Sequence, residues 1–126
     1  MQFLMKCGVI ALAGSVGAVL RFLVGQASGR LFNTGFPVGT FIINITGSLF
    51  LGWFMAYTAN RTGISDNWKS AISVGFVGAY TTFSTYMYES NDLLRKGSEL
   101  AAISNLMGSM FVGLLAVRLG IWLGSR

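Results

Sequence analysis

The sequence contains no histidine, one cysteine, one proline and only four acidic residues among its 126 positions. Without histidine, a Cys/His metal site and a histidine-based catalytic triad are both excluded, and Cys7 has no second cysteine for an intramolecular disulfide. No nucleophile–base pair or cluster of metal ligands stands out either. These absences make an enzyme the least expected class of protein.

Apolar residues, by contrast, make up 53% of the chain, and charged residues only 10%. Four stretches supply the roughly 20 mostly apolar residues that a membrane-spanning helix needs. They are residues 3–24, 36–58, 68–94 and 99–123. The sequence therefore predicts an all-α integral membrane protein with four transmembrane helices in a single domain, residues 1–126. Asp66 is expected to cap the third helix.

Lysine and arginine residues are nearly balanced between the two sides that four spans would define. One side has Lys6, Arg61, Lys69, Arg118 and Arg126, and the other has Arg21, Arg30, Arg95 and Lys96. Orientation in the membrane follows the asymmetry of these residues between short loops. A weak bias could fix one orientation, or copies could insert both ways and pair as an antiparallel homodimer. The charges leave both alternatives open.

The composition of the third hydrophobic stretch disfavours a continuous helix. Gly75 and Gly78 weaken a helix, and hydroxyl side chains compete for backbone carbonyls. The hydroxyl residues that follow are Thr81, Thr82, Ser84 and Thr85. Transport proteins often build ion sites from helices broken at mid-membrane. We predict a break here, with a kinked but uninterrupted helix as the alternative.

Polar side chains also share faces on two other helices. Thr40, Asn44 and Ser48 are spaced by four residues on the second helix, and Asn105 and Ser109 lie one turn apart on the fourth. Such residues can merely hold helices together by hydrogen bonds, or they can line a pathway. Carboxamides inside a membrane demand partners in either case.

The acidic residues all avoid the predicted membrane centre. Asp66 and Glu99 lie at helix ends, and Glu89 and Asp92 lie in the last turns of the third helix. A cation pore or a proton-coupled carrier commonly uses carboxylates inside the membrane. Hydroxyls, carboxamides, aromatic edges and Arg21 toward one entrance suit an anion better. The lining thus favours passive conduction of a small anion.

Three segments resemble the Fluc (CrcB) fluoride channel family. Residues 75–89, GFVGAYTTFSTYMYE, are similar to its third-helix signature. Residues 14–22, GSVGAVLRF, and 37–52, PVGTFIINITGSLFLG, are similar to its first- and second-helix motifs. The three occur in family order across essentially the whole chain. The resemblance implies an antiparallel, dual-topology homodimer with two pores, which exports fluoride passively from the cytoplasm across the bacterial inner membrane.

The resemblance also implies roles for individual residues. Asn44 would donate a hydrogen bond to fluoride, and Phe83 and Tyr86 would present ring edges to it, although phenylalanine is more usual at position 86. The other implied pore positions are Arg21, Thr40, Thr82, Ser84, Thr85, Glu89, Asn105 and Ser109. The family commonly has a hydroxyl residue where Asn105 stands.

A structural Na⁺ at the dimer centre is implied as well, held by the backbone carbonyls of Gly78 and Thr81 from each subunit. The family's paired glycines read Gly78-Ala79 here, which is tolerable if Ala79 keeps an ordinary backbone conformation. Two other functions are open: a small multidrug-type, proton-coupled exporter, and a membrane scaffold that transports nothing.

Overall fold

All regular structure that the computed structural model describes, in residues 1–59 and 61–126, is helical. Asn60, which the polarity pattern assigns to a loop, lies outside the described residues. The helices are α1 (Gln2–Leu31), α2 (Val38–Ala59), α3 (Asp66–Ser70), a π-helical segment (Ala71–Val77), α4 (Gly78–Tyr80), α5 (Phe83–Arg95) and α6 (Glu99–Gly124). The predicted all-α class is confirmed.

Within the described residues, three helices are long and apolar enough to cross a membrane, namely α1, α2 and α6. The predicted third span is instead divided among α3, the π-helical segment, α4 and α5. The chain between α5 and α6 turns tightly through Gly97, whose φ of 75° is a conformation that favours glycine. Ser98 N donates to Leu93 O across this turn.

The first helix extends beyond the residues that hydropathy selects. The prediction ended it at residue 24, but α1 continues to Leu31, and Phe32 N closes it by donating to Ser28 O. Hydropathy marks only the apolar part of a helix, and the last turns of α1 are polar. Ser28 is nevertheless buried, because it packs against Gly39 near the start of α2. This extension forms one wall of a cleft described below.

The N-cap of the third segment lies one residue before the position that the sequence predicted. Ser65, not Asp66, is the N-cap of α3, and its hydroxyl accepts a hydrogen bond from Trp68 N at 3.4 Å. Asp66 occupies the first turn of the helix, where a negative charge interacts favourably with the helix dipole. The expectation that Asp66 caps this helix was therefore wrong by one position.

The predicted break in the third segment is confirmed. Thr81, with φ −79° and ψ 160°, and Thr82, with φ −148° and ψ 123°, are both extended. The chain therefore leaves α4 after Tyr80 and restarts as α5 at Phe83. Two consecutive extended residues interrupt the helix completely, so the alternative of a continuous kinked helix does not hold.

Glycines allow α2 and α6 to approach backbone to backbone. A β-carbon on Gly120 would collide with the carbonyl oxygen of Leu49 and the amide of Trp53. Gly52 lies in the same way against the Val117 carbonyl on the opposite helix. Between membrane helices, such close approach allows the van der Waals packing that holds them together.

The broken segment packs against α1 by the same means. Gly75, in the π-helical segment, lies against the Ile10 carbonyl, and its β-carbon would come 3.1 Å from that of Ala13. Gly17, on α1, faces the Phe76 carbonyl. These contacts fix the N-terminal half of the third segment, so the break is held from one side by α1.

We predict that Gly120→Ala lowers the free energy of unfolding by about 1–3 kcal/mol, the usual cost of overpacking. Gly108→Ala is the matched control, because a β-carbon there has nothing within 4 Å. Both changes improve helix propensity by about 1 kcal/mol, so Gly108→Ala should be neutral or stabilising. Unfolding in mixed detergent micelles measures both. Equal stability of the two variants would contradict the packing described for α2 and α6.

Candidate functional site

A threonine completes the hydrogen bonding of the helix end on each side of the break. The Thr81 amide and hydroxyl both donate to Val77 O, at 2.9 and 3.0 Å, which completes the last turn before the break. The Thr82 hydroxyl accepts from Thr85 N at 3.2 Å and donates to Thr85 Oγ1 at 3.0 Å, so Thr82 is the N-cap of α5. Hydroxyl residues thus replace helical hydrogen bonds that the break removes.

Asn44 bridges the break from the neighbouring helix α2. Its Oδ1 accepts from Thr82 N at 2.9 Å, and its Nδ2 donates to Thr82 O at 2.9 Å. A carboxamide has one acceptor oxygen and two donor hydrogens, so this paired contact leaves one Nδ2 hydrogen for another partner. Asn44 therefore satisfies both backbone groups of an extended residue and keeps one neutral donor.

The same contact frees the backbone carbonyl of Gly78, the first residue of α4. In a continuous helix, Thr82 N would donate to the carbonyl of Gly78, four residues earlier. Here that amide is bonded to Asn44 instead. The Gly78 carbonyl lies on an exposed part of the chain, and Thr81 O has one long contact, with Arg21 Nη1 at 3.5 Å. A carbonyl oxygen has two lone pairs, so Thr81 O retains acceptor capacity.

These freed carbonyls are the oxygen type that the predicted Na⁺ would need. They belong to Gly78 and Thr81, the two residues expected to hold it, and Ala79 between them has a negative φ, as the expectation required. Across the described residues, no group of His, Cys, Asp or Glu could hold a metal ion. These carbonyl oxygens are therefore suitable ligands for a hard cation. The Na⁺ itself stays a prediction.

A polar cleft of about 700 Å³ opens on one side of the break. The predicted pore residues in its lining are Arg21, Thr40, Thr82, Thr85 and Glu89. The polar end of α1 and the turn before α2 contribute the outer wall, including Gln26 and Asn33.

Two of these residues are bonded to each other within the polar cleft. Thr40 Oγ1 donates to Glu89 Oε1 at 2.9 Å, which joins α2 to α5. The second carboxylate oxygen, Oε2, is buried and has no hydrogen-bond partner among the described residues. Glu89 lies midway along α5, so it is closer to the break than its position near the end of the predicted span suggested.

A second, mostly apolar cleft of about 560 Å³ lies on the other side of the break. Five predicted pore residues line it, namely Asn44, Thr82, Phe83, Tyr86 and Ser109. The rings of Phe83 and Tyr86 meet edge to face, with centroids 6.0 Å apart and planes at 61°. Thr82 lines both clefts, so the break lies between them.

Two predicted residues lie outside both linings. Ser84 is exposed on α5. Asn105 is 1% exposed, and its Nδ2 donates to Ser90 Oγ at 2.9 Å. Ser109 Oγ lies 3.4 Å from Asn105 Oδ1, so these two neighbours on α6 are linked. The structure thus groups nine of the implied pore residues around the break and places Asn105 behind them.

Sequence reasoning missed several polar partners. Ser90 is buried between α5 and α6 and links Asn105 to the Tyr86 carbonyl. Tyr80 and Thr46 share a hydrogen bond of 2.9 Å between their hydroxyls. The position of Ser90 four residues after Tyr86 was a usable signal. No pattern on α2 indicated a role for Thr46, because its partner lies on another helix.

The chain matches known proteins along most of its length. The profile of the family described as "CrcB-like protein, Camphor Resistance (CrcB)" matches residues 8–121. A protein named Fluoride-specific ion channel FluC, from Aquifex aeolicus, is 37% identical over 115 residues, covering 91% of this chain and 93% of its own. One of that name from Acidobacterium capsulatum is 39% identical, covering 97% and 98%.

A third relative, Fluoride-specific ion channel FluC 1 from Symbiobacterium thermophilum, is 43% identical over 117 residues, covering 92% of this chain and 94% of its own. All three are named as channels, which bears out the prediction that the chain is not an enzyme. With its three apolar helices, the chain is a multi-pass membrane protein. The resemblance stated from the motifs is confirmed: this chain belongs to the CrcB family.

Proposed function

We propose that the chain is a fluoride-selective passive channel, and one observation carries the proposal. The polar cleft and the apolar cleft lie on either side of the break, share Thr82 in their linings, and have the neutral donor Asn44 between them. Relatives that share most of the chain bear the name of fluoride-specific ion channels. An anion that crossed from one cleft to the other would pass Thr82 and the spare Nδ2 hydrogen of Asn44.

Neutral donors suit the passage of a strongly hydrated anion. Arg21 attracts it into the polar cleft, where water still surrounds it. At the break, the spare hydrogen of the Asn44 carboxamide and the hydroxyl hydrogen of Thr85, which accepts from Thr82, would replace that water. Beyond the break, the edges of Phe83 and Tyr86 carry partial positive charge. Because no fixed cation lines the apolar cleft among the described residues, no single site holds the anion too tightly to leave.

A second copy of the chain would complete the pathway. Phe83 is 74% exposed and the apolar cleft is open at the surface, so one subunit encloses no pore alone. With the broken third segment as a fourth crossing, both termini would lie on one side, and the balanced lysine and arginine residues would allow either orientation. The homodimer we propose is antiparallel and of dual topology, with two pores in the bacterial inner membrane that export fluoride from the cytoplasm.

The antiparallel arrangement would also bring two broken segments together at the two-fold axis. The carbonyls of Gly78 and Thr81 from each subunit would then supply four oxygen ligands for a structural Na⁺. The ion would neutralise the carbonyl ends that the break exposes, and it would take no part in conduction.

A proton-coupled exporter is the second candidate, and Glu89 is the observation that favours it. Its Oε2 is buried without a described partner beside the polar cleft, as a carboxylate that exchanges protons could be. Glu89 accepts a hydrogen bond from Thr40, and it does not lie at the break itself. Both facts favour a static role for Glu89 in the wall of the polar cleft. Transport that depends on a proton gradient would support the exporter. A protein that transports no solute at all would support the membrane scaffold.

Liposomes that contain the purified protein are loaded with fluoride or chloride and placed in a solution without that anion. We expect them to release fluoride rapidly and chloride far more slowly. A fluoride electrode and a chloride electrode measure the two fluxes in parallel. Fluoride should leave without a proton gradient, because the pathway is passive. Release of neither anion by correctly folded protein would overturn the proposed function.

Asn44→Asp should reduce fluoride flux by at least about 100-fold. A carboxylate at this position repels the anion by an energy on the order of 4 kcal/mol at 4 Å in a partly polar surrounding. It also loses the donor to Thr82 O, so stability should fall by about 1–3 kcal/mol. Ser48→Ala, one turn along α2, is the control and should conduct normally. Normal flux in Asn44→Asp would show that Asn44 does not line the path.

A further inference from the structure

An apolar groove of about 520 Å³ lies on the surface, between α1 and the start of the third segment. One wall follows α1 at helical spacing, and the other is formed by α3 and the first residue of the π-helical segment. The residues that matter below are Val9, Leu12 and Val16 on α1, and Asn67, Trp68 and Ala71 opposite them. None of these residues lines either cleft beside the break, so the proposed pathway gives the groove no role.

The groove runs from the level of the lipid headgroups into the hydrocarbon. Asn67 lies at its outer end, just after the polar loop that joins α2 to α3. The neighbouring Trp68 is 66% exposed, which is typical of the aromatic belt at a membrane interface. From Val9 to Val16 the wall on α1 extends about 10 Å further inward, at 1.5 Å per residue. These dimensions and this polarity suit a lipid acyl chain.

A basic side chain stands at the outer end of the groove. Lys6 shares a face of α1 with Ile10 and Ala13, four and seven residues later. Both of those residues lie against Gly75 of the third segment, so Lys6 is on the side of α1 that faces this segment. Lys6 is half-buried and forms no ion pair among the described residues. Its ammonium group can therefore bind a negative charge at the mouth of the groove.

The surroundings of Lys6 are strongly basic as well. The side of the membrane that carries Lys6 has one acidic residue, Asp66, against five basic residues: Lys6, Arg61, Lys69, Arg118 and Arg126. The opposite side has three acidic residues and four basic ones. Basic residues at a membrane surface attract anionic lipids. A headgroup with a net negative charge therefore complements this end of the groove better than a zwitterionic headgroup, which carries its own cation.

We propose that the groove binds an anionic phospholipid, whose acyl chain lies between Leu12 and Trp68 and whose phosphate lies beside Lys6. The chain contacts Ala71, where the π-helical segment begins, and so it braces the third segment against α1. A ligand that binds only the folded protein stabilises it. The lipid therefore supports the half of the third segment that leads to the break. The site requires a membrane protein but not a fluoride channel.

Fluorescence quenching by brominated lipids can measure which headgroup the groove prefers. Bromine on an acyl chain quenches an indole that it contacts, and the difference between the unmodified protein and Trp68→Phe isolates the contribution of Trp68. We would compare brominated phosphatidylglycerol in a phosphatidylcholine membrane with the reverse mixture. Trp68 should favour phosphatidylglycerol at least about fivefold, and Lys6→Gln should lower that preference about fivefold, the effect of one basic residue at an anionic surface. Lys96→Gln, on the opposite side, is the matched control and should leave the preference unchanged.

Three results of this experiment would overturn the proposal. Equal quenching by the two lipids would show that Trp68 contacts only the general lipid surroundings. No quenching by either lipid would show that something else, such as a second copy of the chain, covers the groove. An unchanged preference in Lys6→Gln would remove the phosphate from Lys6.

Filling the groove tests the acyl chain separately from the headgroup. Leu12 is 73% exposed, so Leu12→Trp should occupy the groove without disturbing the packing of the helices. Native mass spectrometry would count the lipids that the protein retains from detergent micelles with equal phosphatidylglycerol and phosphatidylcholine. Leu12→Trp should retain at least about fivefold less phosphatidylglycerol, because each methylene group that leaves the groove lowers the affinity several-fold.

Leu114→Trp places the same indole at an exposed position of α6 and is the matched control for the retained lipid. Equal retention by Leu12→Trp and Leu114→Trp would show that the chain does not lie in the groove. If the protein conducts no fluoride, the proposed function fails, yet the quenching and the mass spectra still report on the lipid. The two failures can therefore be told apart.

Discussion

The paired hydrogen bond between the Asn44 carboxamide and the Thr82 backbone is the interaction on which the rest of the site depends. A helix broken inside a membrane exposes amides and carbonyls that lipid cannot satisfy, at a cost of several kcal/mol each. Asn44 satisfies the amide and the carbonyl of Thr82 together. By taking the amide of Thr82, it also separates the Gly78 carbonyl from its helical donor, which makes room for a different partner there.

This constraint explains why an uncharged side chain stands at position 44, beside the break. A carboxylate at position 44 could accept from the Thr82 amide but would repel its carbonyl, and a lysine could do only the reverse. A carboxamide offers both an acceptor and a donor in one planar, uncharged group. The threonines at the break act similarly, since each hydroxyl completes a helical end by hydrogen bonding. Among the groups that stabilise the break, Asn44 alone both completes its bonds to the backbone and keeps a neutral donor hydrogen.

The sequence predicted the helical class, three of the four apolar spans and the break, because each depends on local composition. Gly75, Gly78 and the hydroxyl residues from Thr81 onward weaken a helix wherever they stand. The polar end of α1 was missed because hydropathy stops at residue 24 although the helix continues to Leu31. The partner of Asn44 could not be predicted from spacing, since the contact joins residues 38 positions apart. The glycines that meet backbone were likewise indistinguishable from those, such as Gly108, that meet nothing.

Two polar side chains, Tyr86 on α5 and Asn105 on α6, hold these helices together beside the apolar cleft. A tyrosine at position 86 brings a hydroxyl that must find an acceptor in an apolar cleft, and the Leu106 carbonyl supplies one only while α5 and α6 stay close. Asn105 bridges those helices through Ser90 at the adjacent position on α6. A hydroxyl residue at 105 is shorter than asparagine and would reach less far across the gap. Tyr86 and Asn105 therefore join the same two helices beside the apolar cleft, one through its phenol and the other through Ser90.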